Sequence, residues 1–338
     1  MSGYRHPRAG WQVTMDGRDL TATMDPRLIS LAISEKRSEA ADQLDIVLHD
    51  KDGALAIPPA GAMLKVSMGW RDGSNLPTGL IDKGSFKVDE AKFSGPPDII
   101  TIRARSADFT DAFRVRRERS FVGKTVKEIV DTIAGANGLT AKVDDALGGK
   151  TIPALGSGAK SDAALLAALG RRFDAVATVK GGTLIFAPVG SGRTASGTAL
   201  PTIEIDRRDA PRIDYERVER EKYGGVTASW HDKASGTRKT VTHDGGGEGK
   251  PKRLRKVYAS EADAQQAAAA EASRIQRRVA KARITLALGR PDIFPEIPVT
   301  LTGYKDEING RSWLVEAATH KMDAQGGLLT ELELEAAR

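Results

Sequence analysis

The 338-residue chain contains no cysteine. That excludes disulfide scaffolds, thiol nucleophiles and every zinc or iron–sulfur site built on thiolates, while leaving the redox compartment open. Aromatic residues make up only 5% of the chain, and there are five histidines. His6, His49, His231, His243 and His320 never fall four positions apart, so no helix offers a zinc-binding pair. No Gly-x-Ser-x-Gly elbow is present to expose a serine nucleophile. No apolar run approaches the ~18 residues of a membrane-spanning helix. Met1-Ser2-Gly3-Tyr4-Arg5-His6-Pro7 has no apolar core of the kind a signal peptide needs. These absences predict a soluble product made in the cytoplasm. An excess of one charge is also nearly absent: Lys+Arg 51 against Asp+Glu 45 gives a mild +6. Glycine, by contrast, is plentiful at 35 residues, which predicts many turns and a modest core per residue.

What is present is mostly strand pattern. Gln43–His49 alternates, with Leu44, Ile46 and Leu48 on one face, the period of a half-buried strand. Ala62–Trp70, Gly84–Glu90 and Ile99–Ser106 behave alike, separated by turn chemistry such as Asp50-Lys51-Asp52-Gly53. Near Thr125 the period changes. Thr125 and Glu128 form a capping box, Val126, Ile129, Val130 and Ile133 follow at helical spacing, and Gly138 stops the helix. A second helix starts near Ser161 with Leu165, Leu166, Leu169 and Phe173 on one side. Asp174–Pro188 then reads as a hairpin turning at Gly181-Gly182. Gly190–Ala199 reads as a linker. Further strands are predicted over 202–206, 225–231, 282–288, 298–304, 312–320 and 328–335, with Asn309-Gly310 and Gln325-Gly326-Gly327 joining the last pairs. Asp232–Lys256, with Gly245-Gly246-Gly247, reads as a mobile polar loop before a helix over 260–279 capped by Ser260. The expected fold class is α+β, mainly β: two β-barrels, with an intervening small α+β domain and a helix inserted in the second barrel region. The expected boundaries are 1–108, 109–195 and 196–338.

Few residues suggest chemistry. Gly156-Ser157-Gly158-Ala159-Lys160-Ser161 lies before a helix, but Ala159 stands where a phosphate loop needs glycine. His49 and His320 end strand patterns and read as surface or rim imidazoles. Arg114–Arg119 (including Arg116 and Arg117), Lys250–Lys256 and Arg274–Arg283 (including Arg277 and Arg278) are locally basic. Stacking aromatics are missing except at their margins, which favours solvated loops or protein contacts over single-strand recognition. Glu331, Glu333 and Glu335 share one strand face. Such a row is tolerated where it meets water or a cationic neighbour. It reads either as an outer solvated face or as the wall of an aqueous channel.

The runs Gln43-Leu44-Asp45-Ile46-Val47-Leu48, Phe86-Lys87-Val88-Asp89-Glu90 and Ser94–Phe109 resemble the phage late control D family. So do Gly123-Lys124-Thr125-Val126, Arg171-Arg172-Phe173-Asp174-Ala175-Val176-Ala177, Leu288-Gly289-Arg290-Pro291-Asp292-Ile293, Pro298–Gly303 and Leu332-Glu333-Leu334-Glu335. The resemblance spans nearly the whole chain in order. The family comprises tail and baseplate hub proteins of contractile-tailed bacteriophages and tailocins, similar to the N-terminal hub region of VgrG proteins. Two departures stand out. Only Ser161-Asp162 remains of the polar run that relatives carry before the second middle helix, and 232–256 is short where relatives have a long basic insertion.

The resemblance implies tube-type barrels and a structural baseplate hub without enzymatic activity or cofactors. It implies a homotrimeric, pseudo-sixfold ring that adapts the hexameric tail tube to a trimeric central spike and encloses the DNA channel. Implied partners are the spike protein, the tail tube or tube-initiator protein, the baseplate wedge proteins and the tape measure protein, with phage DNA passing without specific binding. The implied location is the virion tail baseplate, after assembly in the host cytoplasm. On that plan Glu331, Glu333 and Glu335 are candidate channel-facing residues. Arg114, Arg116, Arg117, Arg119, Arg274, Arg277 and Arg278 are candidate subunit or partner contacts. Two alternatives stay open: a peptidoglycan-binding or peptidoglycan-cleaving component centred on 125–173, and a basic DNA-binding regulator.

Overall fold

Alternation of apolar and polar residues builds the first unit. The computed structural model describes residues 5–337 apart from 38–40, 108–110, 157, 159, 195, 218–222, 246–248 and 324–326. Its first strands are β1 (Arg8–Met15), β2 (Arg18–Asp19), β3 (Leu28–Lys36), β4 (Gln43–His49), β5 (Met63–Asp72), β6 (Gly79–Ser94) and β7 (Ile99–Ser106), with a one-turn helix α1 (Thr21–Met24). β4 buries Leu44, Ile46 and Leu48, as its period requires. They pack with Leu31, Ile33, Val66, Phe86 and Ile102 into the first core. Trp11 and Trp70 bury their rings there, and each indole N–H has a partner: Asp25 Oδ1 at 2.8 Å and the Gly289 carbonyl at 2.8 Å. β6 extends well beyond the expected 84–90 segment because it pairs with β5 and β7 across two register shifts. Gly69 is required where these strands meet, since a Cβ there would lie 2.1 Å from the Gly79 carbonyl oxygen.

The middle unit runs α2 (Asp111–Arg114), β8 (Arg116–Arg117), β9 (Ser120–Thr125), α3 (Val126–Ala136), β10 (Thr140–Val143), α4 (Asp145–Gly148), β11 (Thr151–Gly156), β12 (Lys160–Ser161), α5 (Asp162–Phe173), β13 (Ala175–Lys180) and β14 (Thr183–Pro188). The capping box of α3 is formed in full: Glu128 N–H donates to Thr125 Oγ1 at 3.2 Å, and Thr125 N–H to Glu128 Oε2 at 2.8 Å. Thr125→Ala should therefore cost about 1 kcal/mol in urea denaturation. The apolar faces of α3 and α5 meet Phe113, Val179, Leu184 and Phe186 in a separate core. Gly181 and Gly182 turn the β13–β14 hairpin with φ of 55° and 74°, the positive values that a two-residue loop demands.

The last unit is β15 (Ile203–Asp206), β16 (Arg212–Arg217), β17 (Gly225–Asp232), β18 (Thr237–Asp244), β19 (Lys252–Tyr258), α6 (Glu261–Arg278), β20 (Ala280–Leu286), β21 (Pro298–Thr302), a short helix α7 (Asp306–Asn309), β22 (Ser312–Asp323) and β23 (Gly327–Ala336). The expected mobile loop at 232–256 is corrected here, because most of it is strand. β18 and β19 flank β17 in a three-stranded sheet. Val226 and Ala228 of that sheet pack on Ala264, Ala268, Ala272 and Ile275 of α6. The expected glycine turn falls partly outside the described residues, as does Gln325-Gly326. Asn309-Gly310 lies in the connection between the antiparallel strands β21 and β22, at the end of helical α7, with Gly310 at φ −74°.

The α+β, mainly β plan holds, with apolar cores on both sides of the middle unit. One ladder joins them. β22 pairs antiparallel with β3 from Ala317↔Lys36 to Asp323↔Ser30, so eleven strands of a 13-stranded sheet run from β16 through β20, β23, β22, β3, β4, β7, β6, β5 and β1 to β2, with β21 branching from β22 and β15 pairing with β21. Strands β22 and β23 pass from one core to the other. Trp313, Val315, Leu332 and Leu334 belong to the second core, Met322 and Leu328 to the first. The switch falls at His320 and Thr330, where the buried side chains become polar.

Candidate assembly surfaces and the buried charge junctions

The glutamate row on β23 is held by cations on the flanking strands. Arg283 of β20 donates to Glu333 at 2.7 Å and lies 3.5 Å from Glu331, while Lys321 of β22 donates to Glu331 at 3.0 Å. Of the two environments that such a row tolerates, the cationic neighbour is present. Glu335 does not belong to an open face. It is 5% exposed and paired with Arg37 and Arg277. At this end of β23 the glutamate face is covered by Arg277 of α6 and Arg37 after β3, while Leu334 and Ala336 on the other face lie in the second core.

The basic clusters divide. Arg114, Arg116 and Arg278 are exposed, and none of the three makes an ion pair among the described residues. Arg119 instead turns inward to grip the buried Asp162 carboxylate, at 2.6 and 3.0 Å, with Arg117 at 4.0 Å and Asn137 donating at 2.9 Å. Burial disfavours charge on Asp162, but the Arg119 and Asn137 hydrogen bonds outweigh it and lower its pKa. Ser161 caps α5 through the Ala164 N–H at 3.2 Å. The two residues retained from the family's polar run thus anchor the helix. Arg274 is occupied by Glu271 and by the Arg171 carbonyl. Arg277 is 5% exposed, so its reading as a subunit contact is corrected: it is an internal ion-pair partner.

Its partners define the first junction. Arg277 donates to Asp174 Oδ2 and Oδ1 at 2.7 and 2.5 Å, and its Nε lies 2.9 Å from Glu335 Oε1 in a charge contact not aligned as a hydrogen bond. Asp174 ends α5 in the left-handed conformation, φ 51°, which aspartate tolerates better than most residues. Arg172 meets Asp263 in the first turn of α6. The run Arg171-Arg172-Phe173-Asp174 is therefore the clamp that holds the middle unit on α6. Arg37, at the end of β3, pairs with Glu335 and Glu296, and Glu296 also accepts the Gly190 N–H at 2.8 Å. Glu296 sits at φ 77°, strained for a non-glycine residue, and is kept there by these partners.

The second junction is the polar switch between the two cores. His320 is fully buried, which corrects its reading as a rim imidazole. Nδ1 lies 2.9 Å from Thr330 Oγ1 and Nε2 3.2 Å from Glu35 Oε2. Lys83 pairs with Glu35 and donates to the Pro291 carbonyl at 2.9 Å. Burial works against the Glu35 charge, but the His320 hydrogen bond and the Lys83 ammonium prevail and hold its pKa at about 2. Burial also lowers the pKa of His320 below 6.5, against the pull of Glu35. A histidine depressed in the folded state takes its proton first in the unfolded chain. Its stability contribution is complete above pH 6.5 and is lost as pH falls. From pH 7 to 5.5 the melting temperature should drop by about 2–4 °C. His320→Gln, which offers a donor and an acceptor but no titrating group, should flatten that slope. Asp42 and Glu296, raised by burial, oppose the trend equally in both proteins.

Two clefts flank these junctions. One, of about 400 Å³, lies between α5, α6 and β23 and is bordered by Lys36, Arg114 and Arg278. The other, of about 660 Å³, runs between β6, the β13–β14 hairpin and the 291–296 loop, with Ile81 and Phe294 at its mouth. No group of three or more His, Asp or Glu side chains suited to a metal occurs among the described residues. Asp144 and Asp145, the acids nearest a glycosidase-like pair, serve α4: Asp144 accepts the Ala146 N–H at 2.9 Å as its cap. Residues that pattern reading missed are Glu35, Arg37, Lys83, Asp174 and Glu296, whose partners lie far off in the chain.

A model of the phage tail baseplate hub (GPD) family matches residues 43–326. The probable baseplate hub protein of Escherichia phage 186 is 38% identical, covering 96% of this chain and 92% of that protein. Its counterpart in Escherichia phage P2 is 36% identical, over 96% and 92%. In fold, the crystal structure of a tail protein from Neisseria meningitidis MC58 matches with a TM-score of 0.69 at 14% identity, covering 97% of this chain and 96% of that one. The linear motifs, the paired cores and these relatives agree: the chain belongs to the phage tail baseplate hub (GPD) family and is a structural component of the virion tail.

Proposed function

We propose that the chain assembles as a homotrimer whose two β-units per copy form a pseudo-sixfold ring, matching a hexameric tube on one side and a trimeric spike on the other. The observation that carries this reading is the pair of cores on one continuous sheet, joined by the β3–β22 ladder. Three copies then present six units at fixed relative orientation, because the buried polar switch leaves no loose hinge between cores. On this reading 1–108 and 196–338 are the ring-forming units and 109–195 is an outer module clamped on α6. A closed ring of three needs heterologous contacts between neighbours, for which exposed Arg114, Arg116 and Arg278 are suited. Glu331 and Glu333, neutralised by Arg283 and Lys321, are proposed to line the channel as a mixed-charge wall that lets DNA pass without holding it. The role is non-catalytic, assembly takes place in the host cytoplasm, and the contacts are with spike, tube or tube-initiator, wedge and tape measure proteins. Native mass spectrometry of the chain co-expressed with the spike of its own phage tests this. Three 36.1-kDa copies per complex are expected, and a strictly monomeric chain beside its spike would refute the proposal.

A further inference from the structure

The chain's surplus charge is concentrated in one place. Residues 225–258 hold eight Lys/Arg against three Asp/Glu, so this single small sheet carries +5 of the chain's +6. It is the segment whose sheet the sequence pattern conceals. Its aromatic residues are committed inward: Trp230 and Tyr258 pack with Leu254 towards α6. The face and edges turned away from α6 are therefore polar and cationic.

The two edges of this sheet differ. On β18 the cations are engaged, Arg238 with Ser229 Oγ at 3.1 Å and Lys239 with Asp232 at 2.5 Å. On β19 two of the four are engaged, Lys252 with Glu271 at 2.7 Å and Lys256 over the Tyr258 ring, which leaves Arg253 and Arg255. β19 pairs only with β17, in parallel from Val226↔Lys252 to Trp230↔Tyr258, so its outer edge has no strand partner among the described residues. Arg253 and Arg255 are exposed along it and make no ion pair among the described residues, and exposed Lys250 precedes the strand. Val257 adds an apolar contact at 42% exposure.

The geometry points to the β19 edge as a docking site for an extended, acidic segment of a partner protein, added as a further strand. Three observations select that occupant. A strand edge offers N–H donors and C=O acceptors in alternation, and a peptide strand satisfies both. A nucleic-acid backbone brings phosphate acceptors for the cations but nothing for the edge carbonyls, and the inward aromatics are not available for base stacking. A second copy of the same edge is excluded by like charge, the usual device against strand self-pairing. Carboxylates spaced two residues apart on the incoming strand would stand beside Arg253 and Arg255, in reach of charge-assisted hydrogen bonds. The site is independent of the trimeric-ring reading.

Fluorescence anisotropy on the full chain tests it, with a labelled Glu-Val-Glu-Val-Glu-Val-Glu peptide as probe. Wild type should bind this peptide in a salt-dependent way. Arg253→Glu/Arg255→Glu should weaken binding by at least about tenfold with an unchanged circular dichroism spectrum. Arg253→Gln/Arg255→Gln, which keeps the polar stems, should weaken it in the same direction. A peptide with proline in place of the central valine should bind equally poorly, since it cannot complete the ladder. Unchanged binding of the proline peptide, unchanged binding by both arginine variants, or tighter binding of a duplex of about 20 base pairs than of the acidic peptide would each overturn the proposal.

Discussion

Arg277→Ala should destabilise the folded chain by about 3–5 kcal/mol, the usual effect of removing one member of a buried ion-pair network. The substitution leaves the Asp174 and Glu335 carboxylates in place, at 10% and 6% side-chain exposure, without the guanidinium that satisfies them. Arg37 remains beside Glu335, so that carboxylate keeps one partner, whereas Asp174 loses the only side-chain ion pair it makes among the described residues. The loss should therefore fall on the attachment of the middle unit to α6. Urea denaturation would read the energy, and limited proteolysis would read the location as new cleavage near the linker that follows β14. Arg277→Lys should recover only part of it, because an ammonium cannot match both Asp174 oxygens as a planar fork does. Unchanged stability in Arg277→Ala would mean that the network is not what joins these parts.

Trp313→Ala should cost a similar amount, about 3–5 kcal/mol. Trp313 is fully buried in the second core, its indole N–H donates to the Ile308 carbonyl at 3.1 Å, and its ring meets Tyr215 edge-on at 6.2 Å. Deleting it opens a cavity beneath β16, the outer strand of the large sheet. Tyr215 would lose its aromatic partner and the edge strand its inner support. The expected readouts are a lower urea midpoint and concentration-dependent aggregation through the loosened edge. Trp313→Phe, which keeps most of the volume, should be several-fold milder.

The parts legible in the sequence are those fixed by neighbours a few residues away. The alternation in β4, the Thr125–Glu128 capping box and the Gly181-Gly182 turn are local patterns, and each appears in the structure as read. β18 escaped because Thr237–Asp244 is exposed almost throughout, so no buried face imposes a period of two. Its signal was compositional: β-branched Thr237, Thr240, Val241 and Thr242 after the Ser235-Gly236 turn. The β3–β22 seam was beyond reach for a different reason. Ser34 and Thr319, 3.2 Å apart, are separated by 285 positions, and the two strands carry unremarkable patterns of their own. The fates of Glu335 and Arg277 follow the same logic. A charge on a strand or helix reads as solvated until a distant element covers it, and Arg277 finds Asp174 103 positions away. Sequence placed the right charges in the right elements but did not reveal which of them face inward.

In the proposed ring, one chain supplies two positions through a single rigid sheet. A cryo-electron microscopy reconstruction of the assembled tail end, computed without imposed symmetry, tests it most directly. Three copies are expected around the channel, each filling two adjacent lobes of a six-lobed ring with the β3–β22 ladder continuous between them. Six copies with one lobe each, or two lobes of a copy separated by a break in that ladder, would contradict it.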